Sequence, residues 1–129
     1  MTYVTDPIGD LLTRMRNAQR VRHTECRVPW SRIKEQLCMV LKAEGWIENA
    51  EVGGEGIQKY VDITFAQDKP ALELKRISKP GRRVYQSVKD IRPILNGFGS
   101  AIITTSAGLM TDVQAREKKM GGEVLCTIA

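Results

Sequence analysis

The sequence predicts an α+β protein built from two small packed domains, and three observations carry that prediction. The chain has 129 residues, a length that suits one domain or two very small ones sharing a core. Its first half alternates helix-like and strand-like apolar periodicity, whereas its second half is mainly strand-like with short helical stretches. Gln67-Asp68-Lys69-Pro70 separates the halves as a polar, proline-ended linker. The expected domains are residues 1–66, in the order helix-strand-helix-strand-strand, and residues 71–129, mostly β with short helices.

Each element has its own signal. Asp6 is placed to cap a first helix, with Pro7 in its first turn and Ile8, Leu11, Leu12 and Met15 as its apolar stripe. Thr13, Asn17 and Arg20 fall on the opposite side, with Arg14 and Arg16 at its flanks. Glu25 to Pro29 reads as a short strand, which the proline confines to an edge or an end. Ser31 caps a second helix with the stripe Ile33, Leu37, Val40 and Leu41, ending at Gly45. Trp46 to Val52 and Ile57 to Phe65 read as two strands around Gly53-Gly54-Glu55-Gly56, the second alternating from Ile57 onward. That glycine tetrad lacks the Gly-Lys-Ser/Thr ending of a phosphate loop, so it reads as a hairpin.

In the second half, Ala71 to Ile77 is strand-like and Lys79-Pro80-Gly81-Arg82 has the pattern of a type II turn. Val84 and Tyr85 open another strand, and Ser87 caps a short helix through Leu95 that stops at Gly97. Ala101 to Thr105 is a strand, Asp112 caps a short helix over Val113 to Lys119, and Gly121-Gly122 leads into a last strand from Glu123 to Ile128.

The net charge of +5 favours an anionic partner. Residues 13–34 carry seven basic side chains against one acid, and residues 70–92 seven against two, while residues 44–68 have six acids and one lysine. Two basic blocks around an acidic one imply a positive face and a negative back. The chain has no apolar run approaching a membrane span, and its N-terminus has no secretory pattern. The expectation is a soluble cytoplasmic protein without a membrane partner. Cys26, Cys38 and Cys126 are odd in number and lack CxxC spacing, so they read as buried thiols rather than a disulfide or zinc framework.

Catalysis is poorly provided for. His23 is the single histidine and lies in a charged, solvated stretch, and neither HExxH nor a calcium-loop pattern occurs. No catalytic residue, metal site or cofactor is expected. The run Thr104-Thr105-Ser106, followed by Ala107-Gly108, has no base beside it; such hydroxyls are poor nucleophiles but good donors and acceptors. Lys79, Arg82 and Arg83 present three cations on one turn, suited to a phosphate backbone. Aromatic residues are only 5% of the chain, so stacking on single strands is disfavoured and structured RNA fits better. Tyr85 is placed either to stack on a base or to fill the core. A small RNA-processing enzyme and a protein-only module using the acidic strip are the rival readings.

Four strings then converge. Asp6-Pro7-Ile8-Gly9-Asp10-Leu11-Leu12-Thr13-Arg14-Met15-Arg16-Asn17-Ala18 resembles the opening helix of the bacterial form of small-subunit ribosomal protein eight. Lys75 to Tyr85 is similar to that family's central turn. Gly97-Phe98-Gly99 with Thr104 to Asp112 is similar to its signature, and Gly121 to Cys126 to its C-terminal strand. The motifs keep the family's order over nearly the whole chain. The resemblance implies two α+β domains in contact, with RNA crossing both, and a structural role on a helix of the 16S ribosomal RNA central domain, in the platform of the small subunit. It also implies neighbouring small-subunit proteins as partners and, in bacteria, repression of the protein's own operon messenger. By position the RNA contacts fall on Thr13, Arg14 and Asn17 of the first helix and on Thr104, Thr105, Ser106 and Gly108, with Tyr85, Gly122 and Glu123 supporting the loop. The family usually has serine at the position of Thr104; threonine keeps the hydroxyl and adds a methyl. Glu123 is expected to position loop groups rather than to meet phosphate.

Overall fold

A computed structural model describes residues 6–66, 72–79, 81–87 and 99–129. These form two compact α+β units: Asp10–Leu72, and Glu73–Ala129 together with the chain up to Gly9. The expected helix from Ser87 to Leu95 and the Gly97-Phe98 part of the signature lie outside the described residues.

Helix α1 (Pro7–Arg20) begins as its sequence implies, the Asp6 carboxylate taking the backbone N–H of Gly9. Ile8, Leu11, Leu12, Met15 and Ala18 are buried along one stripe. Strand β1 (Glu25–Pro29) lies at the edge of a three-stranded antiparallel sheet of order β1-β3-β2, where its proline removes no interior hydrogen bond. Helix α2 (Arg32–Ala43) is capped by Ser31, whose side chain accepts from the Lys34 backbone at 3.3 Å. It ends in a Schellman motif: Gly45 takes φ +81, Trp46 N donates to Leu41 O and Gly45 N to Lys42 O. Strands β2 (Ile47–Gly53) and β3 (Tyr60–Phe65) complete the sheet.

Two expectations in this unit change. The buried face of α2 is Lys34, Leu37, Cys38 and Leu41, while Ile33 and Val40 are only half-buried. The stripe is turned because the Lys34 ammonium has two partners inside, Asp10 Oδ2 at 2.9 Å and Pro29 O at 3.1 Å, which offset its desolvation. Ile57 does not open β3. It sits fully exposed in a short 3-10 turn, Gly56–Gln58, and the alternation becomes structural only at Val61, Ile63 and Phe65, all buried.

The second unit holds an antiparallel sheet of order β4-β8-β6-β7, in which β5 also pairs with β8. Strand β4 (Leu74–Arg76) runs beside the C-terminal half of β8 (Gly122–Ile128), and β5 (Tyr85–Gln86) beside its N-terminal half. Strands β6 (Ser100–Thr105) and β7 (Gly108–Thr111) form a tight hairpin leading into α3 (Asp112–Glu117). Ala101, Ile103, Met110, Ala115 and Val124 make a core, with Ile77 and Met120 packed against it.

The cap of α3 falls one residue before the expected Asp112. Thr111 accepts from Gln114 N at 3.3 Å, and Gln114 returns a bond to Thr111 N at 3.1 Å, a capping box. Asp112 is instead buried in the first turn, accepting from Ala101 N. The helix closes with Lys119 at φ 54 and Met120 N bonded to Ala115 O. Helix α1 closes the same way, with Arg22 at φ 63 and His23 N on Ala18 O.

Candidate nucleic-acid interface

The register of the second sheet gathers the hydroxyl run and its companions at one end. Tyr85 lies opposite Glu123, Glu123 opposite Thr104, and Thr104 opposite Leu109. Directly opposed residues of antiparallel strands share a face, so Tyr85, Glu123, Thr104 and Leu109 form one row across β5, β8, β6 and β7. Tyr85 is 71% exposed, which excludes its core-filling alternative. Beside the row, a β-carbon on Gly122 would collide with the Thr104 carbonyl oxygen; only glycine lets β8 approach β6 so closely there.

The three hydroxyls have different circumstances. Thr105 holds the turn: its Oγ1 donates to Gly108 O at 3.0 Å and accepts from Ala107 N at 3.1 Å. Ser106 and Ala107 form the two-residue tip between the paired Thr105 and Gly108, and both are exposed. Gly108 has φ +112, which a β-carbon would make costly. Thr104 is half-buried within the row. The tip therefore presents Ser106 on a backbone fixed by Thr105 and Gly108.

Glu123 is buried, and its Oε2 accepts from Arg83 Nη1 at 3.1 Å, with the arginine side chain half exposed. The group this carboxylate orients is a guanidinium, in place of the expected loop hydroxyls. Lys79 and Arg82 face each other through two backbone bonds of 2.8 and 2.9 Å, closing the basic turn. Pro80, and with it the turn type, lies outside the described residues. The fully buried Ser78 anchors the turn, its Oγ accepting from Val84 N at 2.6 Å. Lys79, Arg82 and Arg83 are all exposed.

In the other unit, Thr13, Arg14 and Asn17 are exposed on α1. Arg14 and Asn17 line a hollow of about 430 Å³ with Ala18, Val21, His23, Glu25, Cys26 and Arg27. Arg14 Nε lies 3.1 Å from both Asp10 oxygens, and Asp10 also takes Lys34. Burial alone would raise the Asp10 pKa, but the hydrogen bonds from Lys34 and Arg14, reinforced by their charges, bring it below the usual carboxylate value. Arg27 is committed similarly, forked onto Asp62 at 2.7 and 3.0 Å with its guanidinium 3.8 Å above the Tyr60 ring. The basic blocks of the sequence thus overstate the free charge, since several of their cations are paired.

Sequence reasoning missed Asp10, Lys34 and Arg27 as participants. The Asp10–Arg14 pair was readable from its i, i+4 spacing; the Lys34 and Arg27 pairs join segments far apart in sequence and were not. The described residues contain no group of three or more potential metal ligands and no helix long and apolar enough to cross a membrane.

Exposed hydroxyls and cations are thus brought together on the β6–β7 tip and on the turn closed by Lys79 and Arg82, with a second set on α1. Comparison with known proteins gives the family: the profile described as ribosomal protein S8 matches residues 6–129. The small ribosomal subunit protein uS8 of Rippkaea orientalis is 49% identical over 128 residues, covering 95% of this chain and 96% of that protein. Those of Nitratidesulfovibrio vulgaris and Anaeromyxobacter dehalogenans are 47% and 46% identical over 97% and 96% of this chain, and over 98% and 97% of their own lengths. The chain belongs to the ribosomal protein S8 family, whose members are structural proteins of the small ribosomal subunit and not enzymes.

Proposed function

We propose that the chain binds a helix of the 16S ribosomal RNA central domain and helps to organise the platform of the small subunit. The row Tyr85–Glu123–Thr104 beside the Ser106 tip carries this reading. It sets an exposed aromatic face and fixed hydrogen-bonding groups next to the Arg83 guanidinium. A shallow RNA groove with displaced bases offers matching partners, namely 2′-hydroxyls, base edges and base faces. Lys79 and Arg82 would neutralise phosphates and supply affinity without sequence preference. Thr13, Arg14 and Asn17 would add sugar and phosphate contacts from α1, and Gly108 and Gly122 the backbone approach. Neighbouring subunit proteins would complete the assembly in the cytoplasm.

The test is chemical footprinting of the protein on naked small-subunit ribosomal RNA. Protection of one compact helix, lost when Ser106 and Tyr85 are both changed to alanine, is the expected result. Diffuse protection that merely scales with protein concentration would reduce the reading to non-specific electrostatics. Competition by the protein's own operon messenger for the same surface would extend it to translational repression.

A further inference from the structure

We infer that Asp10, an acid in an RNA-facing segment, is a positioning residue for Arg14: it strengthens RNA binding although its charge opposes it. The inference rests on the reading of α1 as an RNA contact. An exposed Asp–Arg pair one helical turn apart contributes little on its own, and here the two side chains are 42% and 47% exposed. Asp10 is not an ordinary surface acid, however. Its Oδ2 accepts from Lys34 Nζ at 2.9 Å, and the Lys34 side chain is only 7% exposed and bonded as well to Pro29 O. The lysine is a buried post tied to the end of β1, the carboxylate is fixed to the post, and Arg14 is fixed to the carboxylate. The arginine is held through Nε, so the contact does not consume its two terminal amino groups. Those groups are the fork that recognises phosphate, and Arg14 lines the hollow that also contains Asn17.

Glu123 holds Arg83 through a terminal nitrogen, and that carboxylate is itself buried by its strand. At α1 the burial is supplied one step back, by the lysine. An ordered arginine loses less freedom when it meets a phosphate, so removing its anchor weakens binding without removing a cation.

This is opposite in sign to bulk electrostatics. Asp10→Asn adds one positive unit to a chain of net charge +5, which by itself tightens RNA binding. The experiment measures affinity for in vitro transcribed small-subunit ribosomal RNA over a range of salt. Arg14→Ala is expected to weaken binding and to lower the log–log salt slope by about one phosphate contact. Asp10→Asn is expected to weaken binding by about three- to tenfold with the salt slope retained, and to cause no further weakening in the Arg14→Ala background. Asp10→Glu, which keeps the carboxylate, restores most of the affinity.

Because Asp10→Asn leaves a buried ammonium without its counter-ion, the charge-conserving pair Asp10→Asn with Lys34→Met is measured beside it, with thermal melting of each variant. The same weakening in that pair, with a native melting transition, supports positioning over general instability. Unchanged or tighter binding by that pair, while Arg14→Ala still weakens, overturns the inference and leaves the RNA reading intact. No effect of Arg14→Ala overturns the reading of α1 and the inference with it.

Discussion

The β6–β7 tip and the outer face of α1 hold their candidate contact groups by different physics. At the tip the holding is done by neutral groups and backbone: Thr105 closes the turn with two hydrogen bonds, Gly108 supplies its φ of +112, and Gly122 lets β8 press against the Thr104 carbonyl. On α1 the holding is done by charge, from Lys34 through Asp10 to Arg14. Neutral hydrogen bonds fixed by backbone geometry respond weakly to salt and acid, whereas exposed ion pairs respond to both. On the proposed RNA reading, the first is suited to discrimination and the second to adjustable affinity.

The largest effect breaks the tip and spares α1. Gly122→Ala is expected to destabilise the protein by about 3 kcal/mol, the upper part of the usual cost of overpacking, because the added methyl meets a backbone oxygen in a paired strand. Urea denaturation checks it; an unchanged midpoint would show that β8 moves off β6 at no cost. Ser106→Ala follows. Its side chain is exposed at the tip, so stability should hold while RNA affinity falls by about 2 kcal/mol with an unaltered salt slope, the pattern of a lost buried hydrogen bond in the complex. A change in salt slope would place Ser106 with the charged contacts.

Much of this geometry is legible in the sequence, and what is not has physical reasons. Asp6 and Ser31 read correctly as caps, and Gly45 as a stop, because capping depends on residues three or four apart. The ends of α1 and α3 were harder to read. Their left-handed closing positions are filled by Arg22 and Lys119, so the glycine signal that marks such ends is missing. The alternation through Ile57 promised a longer strand, but the glycines around it turn the chain away before pairing begins at Tyr60. The site divides in the same manner. The hydroxyl string, the basic turn and the α1 face are contiguous in sequence and so are legible there as candidates. The row joining Tyr85, Glu123 and Thr104 depends on strand register, and the burial of Lys34 depends on a partner 24 residues away.

Arg82→Ala should act more gently and only through salt. Arg82 is exposed, and the bonds that close its turn are made by backbone rather than by its guanidinium, so the turn should persist. The log-affinity against log-salt slope should flatten by about 0.7–0.9, one phosphate's worth. Titration of binding from low to physiological salt measures this, and slopes equal to the wild type would remove Arg82 from the phosphate contacts.

Acid supplies the smallest effect and the one that separates the two surfaces most cleanly. Asp10 is depressed below the usual carboxylate value because the bonds and charges of Lys34 and Arg14 outweigh burial, and Asp62 because Arg27 donates to it. A carboxylate depressed in the folded state binds protons more readily when unfolded, so its stabilisation is complete above the ordinary carboxylate pKa. It is lost as pH falls through the folded value. Stability should therefore decline gradually below about pH 4, with solvent screening keeping the contribution of these exposed pairs small. Hydrogen exchange read residue by residue should show the loss first on α1, β1 and β3. The Thr105–Gly108 turn, which has no titrating group in its hydrogen bonds, should keep its protection. Simultaneous loss in both places would mean that the tip depends on the acid-sensitive pairs after all, and the contrast between a neutral and a charged surface would fail.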